Sequence, residues 1–528
     1  MFFTPGIQYD RIGLIDTDNA AKAGGDADMS KRLWQIFCVM VWAATALCRA
    51  APGDLDAGFG TSGKVNVQAQ LALTDPNGRA TALQPDGKIL VAGYWWDTAG
   101  SSKNLFLLVR FTPGGAVDTS FGNNGVVSTM IGAASAEASG VAVQPDGKIL
   151  VTGSCLPIGT SNATEFCLSR YLSNGTLDTS FNVTGTLVSN IVTGRERAHA
   201  VALQPDGKIL VAGTCDNVFS DDFCVVRYLS SGALDVDFGV GERVFTAIGN
   251  GNDTARAIAL RPDGRIVVAG ACVNDSISRF CVAQYHNSGA LDTSFSGDGK
   301  IITTMGSADA GAHAVALQHD GRVVVAGTCV NGGNDFCLAR YLENGTLDTT
   351  FNGTGRVLTA MSAGADSASG LVVQPDGKLV AVGTCSNDFC GARYLPNGSL
   401  DTSFSADGKV TTDISGFDVA GGVALQPDGN IVVAGACNPS PSDASSLSLC
   451  LARYQGGPNE ARICTLDIDG VNRVLATTDA LIYTRISLGM SGSSVLAGIT
   501  FASHATRNSW PLIRDYLVTQ CGMTVAPG

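Results

Sequence analysis

Most of the chain consists of short apolar runs, period-two alternations and turns that contain Gly, and residues 299–355 show this pattern completely. GKIITT predicts a short strand, and AHAVALQ alternates as a half-buried strand does. RVVVAGTC is apolar and β-branched, which is typical of a strand buried on both faces, and FCLARYL predicts a fourth strand. The turn HDG supplies the positive φ of a tight hairpin. We therefore predict four antiparallel strands here, with ENGTLDTTFNGTG as the connection to the next unit.

The same pattern recurs along the chain, and three of its features occur seven times each. The turn PDG, written HDG once, has its aspartate at Asp86, Asp146, Asp206, Asp263, Asp320, Asp376 and Asp428. The phrase D-x-x-F begins at Asp56, Asp118, Asp178, Asp235, Asp292, Asp348 and Asp401. One strand of each unit ends in an aromatic residue, at Phe111, Tyr171, Tyr228, Tyr285, Tyr341, Tyr394 and Tyr454. Seven copies of a four-stranded unit predict an all-β fold, a seven-bladed β-propeller.

The order of these features predicts how the ring closes. The first D-x-x-F phrase, at Asp56, has no Arg-aromatic strand before it, and the last such strand, ending at Tyr454, has no D-x-x-F phrase after it. Every unit is complete only if the N-terminal segment docks behind Tyr454. Such docking covers the last free strand edge.

An arginine precedes the strand-end aromatic residue in six of the seven units, and Gln284 is the exception. We expect these arginines to pair with the D-x-x-F aspartates between blades. Ion pairs of this kind in an interior are more often structural than catalytic.

These residues also carry a family resemblance. The run ALQPDGKILVAG, at residues 82–93 and again at 202–213, followed by the D-x-x-F phrase, resembles the bacterial delta-60 repeat over residues 54–454. The resemblance implies a β-propeller of unknown function. It implies no catalytic residues.

Twelve of the 16 cysteines form six local pairs, one in each unit from the second to the seventh. The second cysteine of a pair keeps a fixed place before the strand-end Tyr, whereas the loop between the two varies in length. Fixed strand positions with a variable loop predict facing residues at the base of a hairpin, and hence six disulfides. The predicted pairs are Cys155 with Cys167, Cys215 with Cys224, Cys272 with Cys281, Cys329 with Cys337, Cys385 with Cys390, and Cys437 with Cys450.

Zinc is the competing interpretation of these pairs, but CxxC spacing is absent and no histidine accompanies them. The first unit has Trp95 and Leu107 in place of the cysteines, which predicts an apolar contact instead of the bridge. Six disulfides imply secretion to an oxidising place, extracellular or periplasmic.

The N-terminus carries a secretory pattern that starts at Met29. A basic stretch, the apolar run LWQIFCVMVWAATAL and small residues near Ala50 follow one another as in a signal peptide. We expect translation to start at Met29, residues 1–28 not to be translated, 29–50 to be the signal peptide, and no transmembrane span in the mature chain. An uncleaved anchor is the alternative.

The period changes after the propeller region 51–455. We predict a linker at 456–463 and a small α-helical module at 464–528, because TDALIYTRISLGM has helical spacing and WPLIRDYLVTQC suits a second helix. Cys464 and Cys521 bracket this module, and we predict that they pair.

The stretch DIDGVNRVLATTD resembles a dockerin-like, EF-hand-type calcium loop with Asp467, Asp469 and Asp479 at matching positions. The resemblance implies calcium as a ligand, since such loops supply carboxylate oxygens at alternating positions. Val471 offers no side-chain oxygen at the third position, and the last acidic residue comes one position late. The alternative is a helical module in which these aspartates cap a turn and a helix.

The net charge, the histidines and the hairpin loops of the chain limit which functions are plausible. The formal net charge of −13 disfavours a nucleic-acid partner. The five histidines lie in no metal or nucleophile motif, although His199 and His313 occupy equivalent strand positions. The hairpin loops differ in every unit, and variable loops on a rigid scaffold are the usual place for binding. Trp96 in the first of them is a candidate for stacking on a sugar.

We therefore expect a secreted, non-catalytic binding or scaffold protein that engages an extracellular polymer or protein through loops at one rim, without a cofactor apart from calcium. Two alternatives stay open. One is a secreted polysaccharide hydrolase or lyase, and the other is a cell-surface structural component anchored through residues 464–528.

Overall fold

The computed structural model describes residues 51–67, 71, 73–97, 103–132, 135–157, 163–192, 194–217, 220–438, 447–457, 482, 493–496 and 513. The chain divides into two units, Met1–Ala50 and Ala51–Gly528. The first unit, with the predicted start at Met29 and the predicted signal peptide, lies outside the described residues.

The described chain contains 28 strands that fall into four classes by their place in a blade. The inner strands are β2 (Thr74–Leu83), β6 (Ala136–Val143), β10 (Glu196–Leu203), β14 (Asp253–Leu260), β18 (Ala310–Leu317), β22 (Asp366–Val373) and β26 (Phe417–Leu425). The second strands are β3 (Ile89–Asp97), β7 (Ile149–Cys155), β11 (Ile209–Asp216), β15 (Ile266–Asn274), β19 (Val323–Val330), β23 (Leu379–Cys385) and β27 (Ile431–Asn438).

The third strands carry the Arg-aromatic ends, and the outer strands are the shortest. The third strands are β4 (Lys103–Phe111), β8 (Glu165–Tyr171), β12 (Asp221–Tyr228), β16 (Ile277–Tyr285), β20 (Asn334–Tyr341), β24 (Asp388–Tyr394) and β28 (Ser448–Tyr454). The outer strands are β5 (Val126–Thr129), β9 (Thr186–Ser189), β13 (Arg243–Thr246), β17 (Lys300–Thr303), β21 (Arg356–Thr359), β25 (Lys409–Thr412) and β1 (Lys64–Asn66).

Seven four-stranded antiparallel sheets result, which confirms the predicted seven-bladed propeller. The predicted grouping of strands within 299–355 is wrong by one strand. GKIITT forms β17, which pairs with β16 of blade four, and the outer strand of blade five is β21. The reason is the D-x-x-F connection. It folds back on its own blade, where Leu347 bridges to Tyr341, instead of leading to the next blade.

The ring closes as predicted. The N-terminal strand β1 pairs antiparallel with β28, and Leu55 bridges to Tyr454. Arg453 Nη2 lies 2.6 Å from Asp56 Oδ2. The seventh blade is therefore built from both ends of the propeller region, and β28 has no free edge.

The hydrophobic core lies between blades. Each cluster joins residues of two neighbours, as where Val267 and Phe280 of blade four pack with Val323 and Tyr341 of blade five. Tyr341 also forms a 2.7 Å hydrogen bond with Thr303 on the outer strand of blade four. Because one blade cannot bury both of its apolar faces, its stability depends on its neighbours.

The six predicted disulfides are present, with Cα–Cα distances of 5.6 to 5.9 Å. They join Cys155 to Cys167, Cys215 to Cys224, Cys272 to Cys281, Cys329 to Cys337, Cys385 to Cys390, and Cys437 to Cys450. The predicted partners are therefore confirmed in all six hairpins. The bridges tie the second strand of a blade to its third strand.

One detail of the disulfide prediction is wrong, because the two cysteines of a pair do not face each other directly. Cys215 lies opposite Asp222 and Cys224 lies opposite Gly213, so the bridge is diagonal across the hairpin. The second cysteine lies opposite a glycine in every bridged blade, at Cys167, Cys224, Cys281, Cys337, Cys390 and Cys450. Gly is required there, since a Cβ on Gly213 would stand 2.0 Å from a carbonyl oxygen of the inner strand.

In the C-terminal segment the structure describes one short helix, α1 (Ser493–Leu496). It does not support the predicted helical module: of the two longer predicted helices only Ile482 and Ile513 are described, and Cys464 and Cys521 lie outside the described residues. None of the helices that the structure describes has the length and apolar character needed to cross a membrane.

Candidate functional site

Antiparallel order gives the propeller two different ends. The PDG turns and the D-x-x-F connections lie at one end, which we call the turn face. The hairpin loops between second and third strands, and the connections from outer strands to the next inner strands, lie at the other, which we call the loop face.

The turn face is built from a repeated arginine lock. Arg110 Nε donates to Asp118 Oδ2 at 2.9 Å, and the guanidinium carbon lies 4.3 Å from the centroid of the Phe121 ring. Its Nη1 donates to the carbonyl oxygen of Ser173 in the next blade at 2.5 Å. The same set of contacts recurs at Arg170, Arg227, Arg340, Arg393 and Arg453.

This lock is structural. The ion pair joins residues of one blade, and the contact between blades is to a backbone carbonyl, so the predicted ion pairing between blades is wrong. Burial would raise the pKa of Asp178, but hydrogen bonds from Ser180 and the charge of Arg170 outweigh it and lower the pKa to about 2. A carboxylate that stays ionised at ordinary pH and already accepts hydrogen bonds is not available as a proton donor.

The PDG aspartates serve the turns themselves. Asp86 Oδ1 accepts the N–H of Lys88, two residues on, and Gly87 adopts a φ of 81°. The same hydrogen bond recurs in the other six turns.

The inner strands contain residues that differ from one repeat to the next. Each strand has a β-bulge at the equivalent position, where one residue has no partner in the second strand, and β2 has a further irregularity at Asp75 and Pro76. These seven residues form what we call the bulge ring: Arg79, Ser139, His199, Arg256, His313, Ser369 and Gly421. All seven have accessible surface, whereas the residue before each on the inner strand is buried in all seven blades. Since inner strands pack only against blades and one another, this surface lines the central channel.

Several bulge-ring side chains link neighbouring blades. Ser139 Oγ donates to the carbonyl oxygen of Ala198 at 2.5 Å. His313 Nδ1 lies 2.8 Å from the carbonyl oxygen of Ala368, so Nδ1 carries the proton and Nε2 is the basic nitrogen.

Positive charge is concentrated in this channel. Arg79 and Arg256 belong to the bulge ring, and Arg197 lies two residues before His199. Burial, with the charges of Arg256, Arg197 and Arg79, lowers the pKa of His199 to about 4. Burial and Arg256 lower the pKa of His313 to about 4 as well. Arg256 has accessible surface yet is surrounded by the channel wall, and this desolvation lowers its own pKa.

A cavity of about 390 Å³ opens where the channel meets the loop face, between blades one, two and three. We call it the channel-mouth cavity. Its lining includes Arg79, Glu137, Ser154, Arg197 and His199. A second cavity of about 780 Å³ lies beside it, and the two share the walls Leu156, Thr164 and Arg197.

One group of carboxylates among the described residues has the spacing of a cation site. Oxygens of Asp388, Asp413 and Asp418 lie within 4.8 Å of one another. Asp418 already accepts the N–H of Ile414 at 2.5 Å, and burial together with Asp413 and Asp388 raises its pKa. Lys64 approaches the same group and donates to the carbonyl oxygen of Asp413. These contacts hold together the connection between blades six and seven.

The predicted site residues fall in different places. Trp96 is 39% exposed on the second strand of blade one, opposite Asn104. Trp95 packs in the same cluster as Leu107, in place of the bridge. His199 and His313 line one channel, but blade four with Arg256 lies between them. The predicted calcium ligands Asp467, Asp469 and Asp479 lie outside the described residues.

Arg79, Arg197 and Arg256 belong to no motif, so the local sequence does not single them out. An alignment of the seven inner strands marks their positions as variable, but it does not show that the three arginines share one channel. The bulge position varies from Gly421 to Arg256, and the position two residues before it varies from Gly311 through Glu137 to Arg197.

Comparisons with known proteins agree with the fold. A family model described as "Domain of unknown function (DUF5122) beta-propeller" matches residues 84–121, 144–181, 204–238, 261–295, 318–351 and 374–404. The chain is a β-propeller repeat protein. No curated protein matches it.

Solved structures similar to this propeller repeat protein share little sequence with it. Catalytically inactive virginiamycin B lyase from Staphylococcus aureus with quinupristin is 10% identical, covers 74% of this chain and 98% of its own, and has a TM-score of 0.44. The polysaccharide lyase Uly1 is 10% identical, with 72% and 90% covered and a TM-score of 0.43. YCF48 bound to D1 peptide is 11% identical, with 77% and 97% covered and a TM-score of 0.40. Likenesses this distant have no bearing on activity.

Proposed function

We propose that this chain is a secreted, non-catalytic binding protein whose ligand, an extracellular polymer or protein, occupies the channel-mouth cavity. One observation carries the proposal. The repeat keeps its turn face nearly constant from blade to blade, but it diverges at the bulge ring and in the hairpin loops, and both meet at this cavity. Divergence on a rigid scaffold is what a binding site requires.

The hairpin loop of blade two supports the predicted role of the loops. Leu156, Ala163 and Thr164 of this loop line the two cavities. Trp96 of blade one is close to the same region, because its cross-strand partner Asn104 donates to Glu137 of the cavity wall at 2.9 Å.

The proposal of secretion is supported by the six disulfides, which indicate folding in an oxidising, non-cytoplasmic compartment. We expect N-terminal sequencing of the mature protein to begin near Ala50. A chain that retains residues 29–50 would contradict cleavage and favour an anchor.

The C-terminal segment belongs to the proposal as an attachment module. It would hold calcium through Asp467, Asp469 and Asp479 and be closed by a bridge between Cys464 and Cys521. Isothermal titration calorimetry of the wild type with calcium tests whether this segment binds the ion. The variants Asp467→Asn and Asp469→Asn should bind calcium more weakly. Absence of a saturable calcium signal would remove calcium from the proposal.

The test of the cavity uses the repeat itself. Tyr94 of blade one occupies the position of Ser154, so the fold accepts Tyr there. The wild type is first tested for binding to a panel of glycans and to cell envelope. Ser154→Tyr should fill the cavity and abolish binding to any panel member that the wild type binds.

Thr328→Tyr places the same side chain at the equivalent position of blade five and is the matched control. Binding that survives Ser154→Tyr, or is lost equally in Thr328→Tyr, contradicts a site at the channel mouth. Turnover of a bound polysaccharide would indicate that the chain is a hydrolase or lyase and not a non-catalytic binding protein.

A further inference from the structure

The charge of the channel mouth is opposite to that of the chain. The whole sequence has a formal net charge of −13, yet Arg79 and Arg197 line the channel-mouth cavity, Arg195 lines its neighbour, and Arg256 projects from the next inner strand of the ring. Positive residues so concentrated in an acidic protein mark a local potential that the rest of the surface does not supply.

Only part of this charge is neutralised within the described residues. Arg79 Nη2 lies 3.3 Å from Glu137 Oε2 and also stacks over the Tyr94 ring at 4.7 Å. Arg197 and Arg256 have no carboxylate within ion-pair distance in the described part of the chain. Asp216 lines the second cavity together with Arg195 and Arg197. This carboxylate already takes part in another interaction.

Guanidinium groups that lie close together in a channel without a counter-charge are unfavourable, because they repel one another and, at Arg256, lose part of their hydration. Burial, together with the charges of these arginines, lowers the pKa of His199 and of His313, so neither imidazole adds an anion or a ready proton acceptor to the channel. An anionic ligand relieves both penalties, and Arg forms short, charge-assisted hydrogen bonds with carboxylate and sulfate oxygens.

The uncharged lining suits a saccharide. Ser135, Ser139 and Ser154 contribute hydroxyl groups to the channel-mouth cavity. Thr164 lines both cavities, and its Oγ1 is buried without a hydrogen-bond partner. A buried hydroxyl without a partner is a group that a ligand can satisfy. The exposed indole of Trp96 offers an apolar face beside the same wall.

Resting on the proposed function, we infer that the channel-mouth cavity binds an acidic saccharide, with Arg197 of its lining holding the carboxylate or sulfate group and Arg256, on the next inner strand, adding to the positive potential. The hydroxyls of Ser154 and Thr164 meet the sugar hydroxyls. A cavity of about 390 Å³ that continues past Arg197 into one of about 780 Å³ leaves room for a short length of chain. A uronate polymer and a sulfated polymer share this chemistry.

The experiment is isothermal titration calorimetry of the purified full chain with three probes: polygalacturonate, dextran sulfate and uncharged dextran. We expect binding of at least one anionic probe and none of dextran, with binding weakened as salt is raised. Polygalacturonate alone would identify the carboxylate source, and dextran sulfate alone the sulfate source.

Three variants separate this site from general attraction to an arginine-bearing surface. Arg197→Gln should weaken anion binding about tenfold or more, the loss expected for one charge-assisted hydrogen bond, and Arg256→Gln should weaken it by a smaller factor through the lost positive potential. Arg279→Gln removes the same charge from the third strand of blade four, and binding should stay at the wild-type level. The thermal transition of each variant establishes that it is folded.

The inference is overturned if neither anionic probe binds, or if Arg197→Gln and Arg256→Gln bind as the wild type does. It is also overturned if uncharged dextran binds equally well. In that last case loss of dextran binding in Ser154→Tyr would leave the proposed function standing, so the two failures are distinguishable.

Discussion

At the scale of single residues, blade four shows how the arginine lock tolerates variation. Six blades have Gln in the turn and Arg at the end of the third strand, as at Gln84 and Arg110. Blade four exchanges the two. Arg261 Nε donates to Gln284 Oε1 at 2.7 Å, and Gln284 Nε2 donates to Asp292 Oδ2 at 2.8 Å. Arg261 also reaches the carbonyl oxygen of Gly321 in blade five at 2.7 Å, so one cation per blade and its link to the neighbour are both kept.

This exchange predicts a coupling between the two positions. Gln284→Arg alone places a second buried cation beside Arg261 and should reduce the free energy of unfolding by about 1–3 kcal/mol. The double variant, Arg261→Gln with Gln284→Arg, restores the arrangement of the other six blades and should recover most of that loss. Chemical denaturation of the wild type, both single variants and the double variant measures the coupling. Additive losses would show that the two positions act independently.

A second residue-scale prediction concerns His199 and pH. Its folded pKa is about 4, against 6.5 in an unfolded chain, so the unfolded chain binds more protons between these values. Stability should therefore fall as pH falls from about 6.5 to about 4. Arg79, Arg197 and Arg256 oppose protonation, and Glu137 is the carboxylate in the lining of the channel-mouth cavity. Denaturation midpoints at several pH values should fall less steeply for His199→Asn, whereas parallel slopes would contradict the shift.

At the scale of secondary structure, each blade depends on a hairpin that is closed in one of two ways. Six hairpins have a diagonal disulfide between second and third strands, and blade one has the contact of Trp95 with Leu107. Both solutions fill the same interior position next to the glycine of the second strand. The hairpin loops outside them are free to differ in length and sequence, which is what places a variable surface on the loop face.

The bridges should each contribute modestly, because each closes a short loop. Cys329 and Cys337 are 8 residues apart. Replacing both by Ala should lower the free energy of unfolding by about 2–3 kcal/mol and leave the fold intact. Denaturation monitored by far-UV circular dichroism measures the loss. Unfolding of the whole protein by this one change would mean that the bridge is needed for the blade to form.

At the scale of the whole molecule, ring closure is the step that both chain ends share. Strand β1 covers the edge of β28, and Phe59 lies under the guanidinium of Arg453 at 4.6 Å. The first residues of the propeller therefore complete the last blade. Its interface with blade one depends on them, since Val65 and Phe59 lie in the same core cluster as Ile89 and Phe111 of blade one.

Removal of residues up to Asn66 should expose the edge of β28 and break this cluster. Exposed strand edges pair with other chains, so we expect oligomers and a lower transition temperature. Light scattering and thermal melting measure both effects. A monomer with the melting curve of the intact propeller would show that closure by β1 is dispensable.

The sequence by itself determined the number of blades, the existence of most strands, the six hairpin disulfides and the closing segment. These follow from local pattern and from repetition: period two marks a strand, Asp-Gly marks a turn, and a feature found seven times in order leaves little freedom of topology. The phase of the unit did not follow, because whether GKIITT pairs with the strand before or after it depends on hydrogen bonds across the D-x-x-F turn.

Only the tertiary structure decided which variable residues meet. Arg79, Arg197 and Arg256 come from three inner strands and are far apart in sequence, and each stands alone where it occurs. The β-bulges of the inner strands and the closure of the ring turn them toward one channel. Because that convergence arises from packing between blades and not from any local pattern, the candidate site could be found only once the ring was closed.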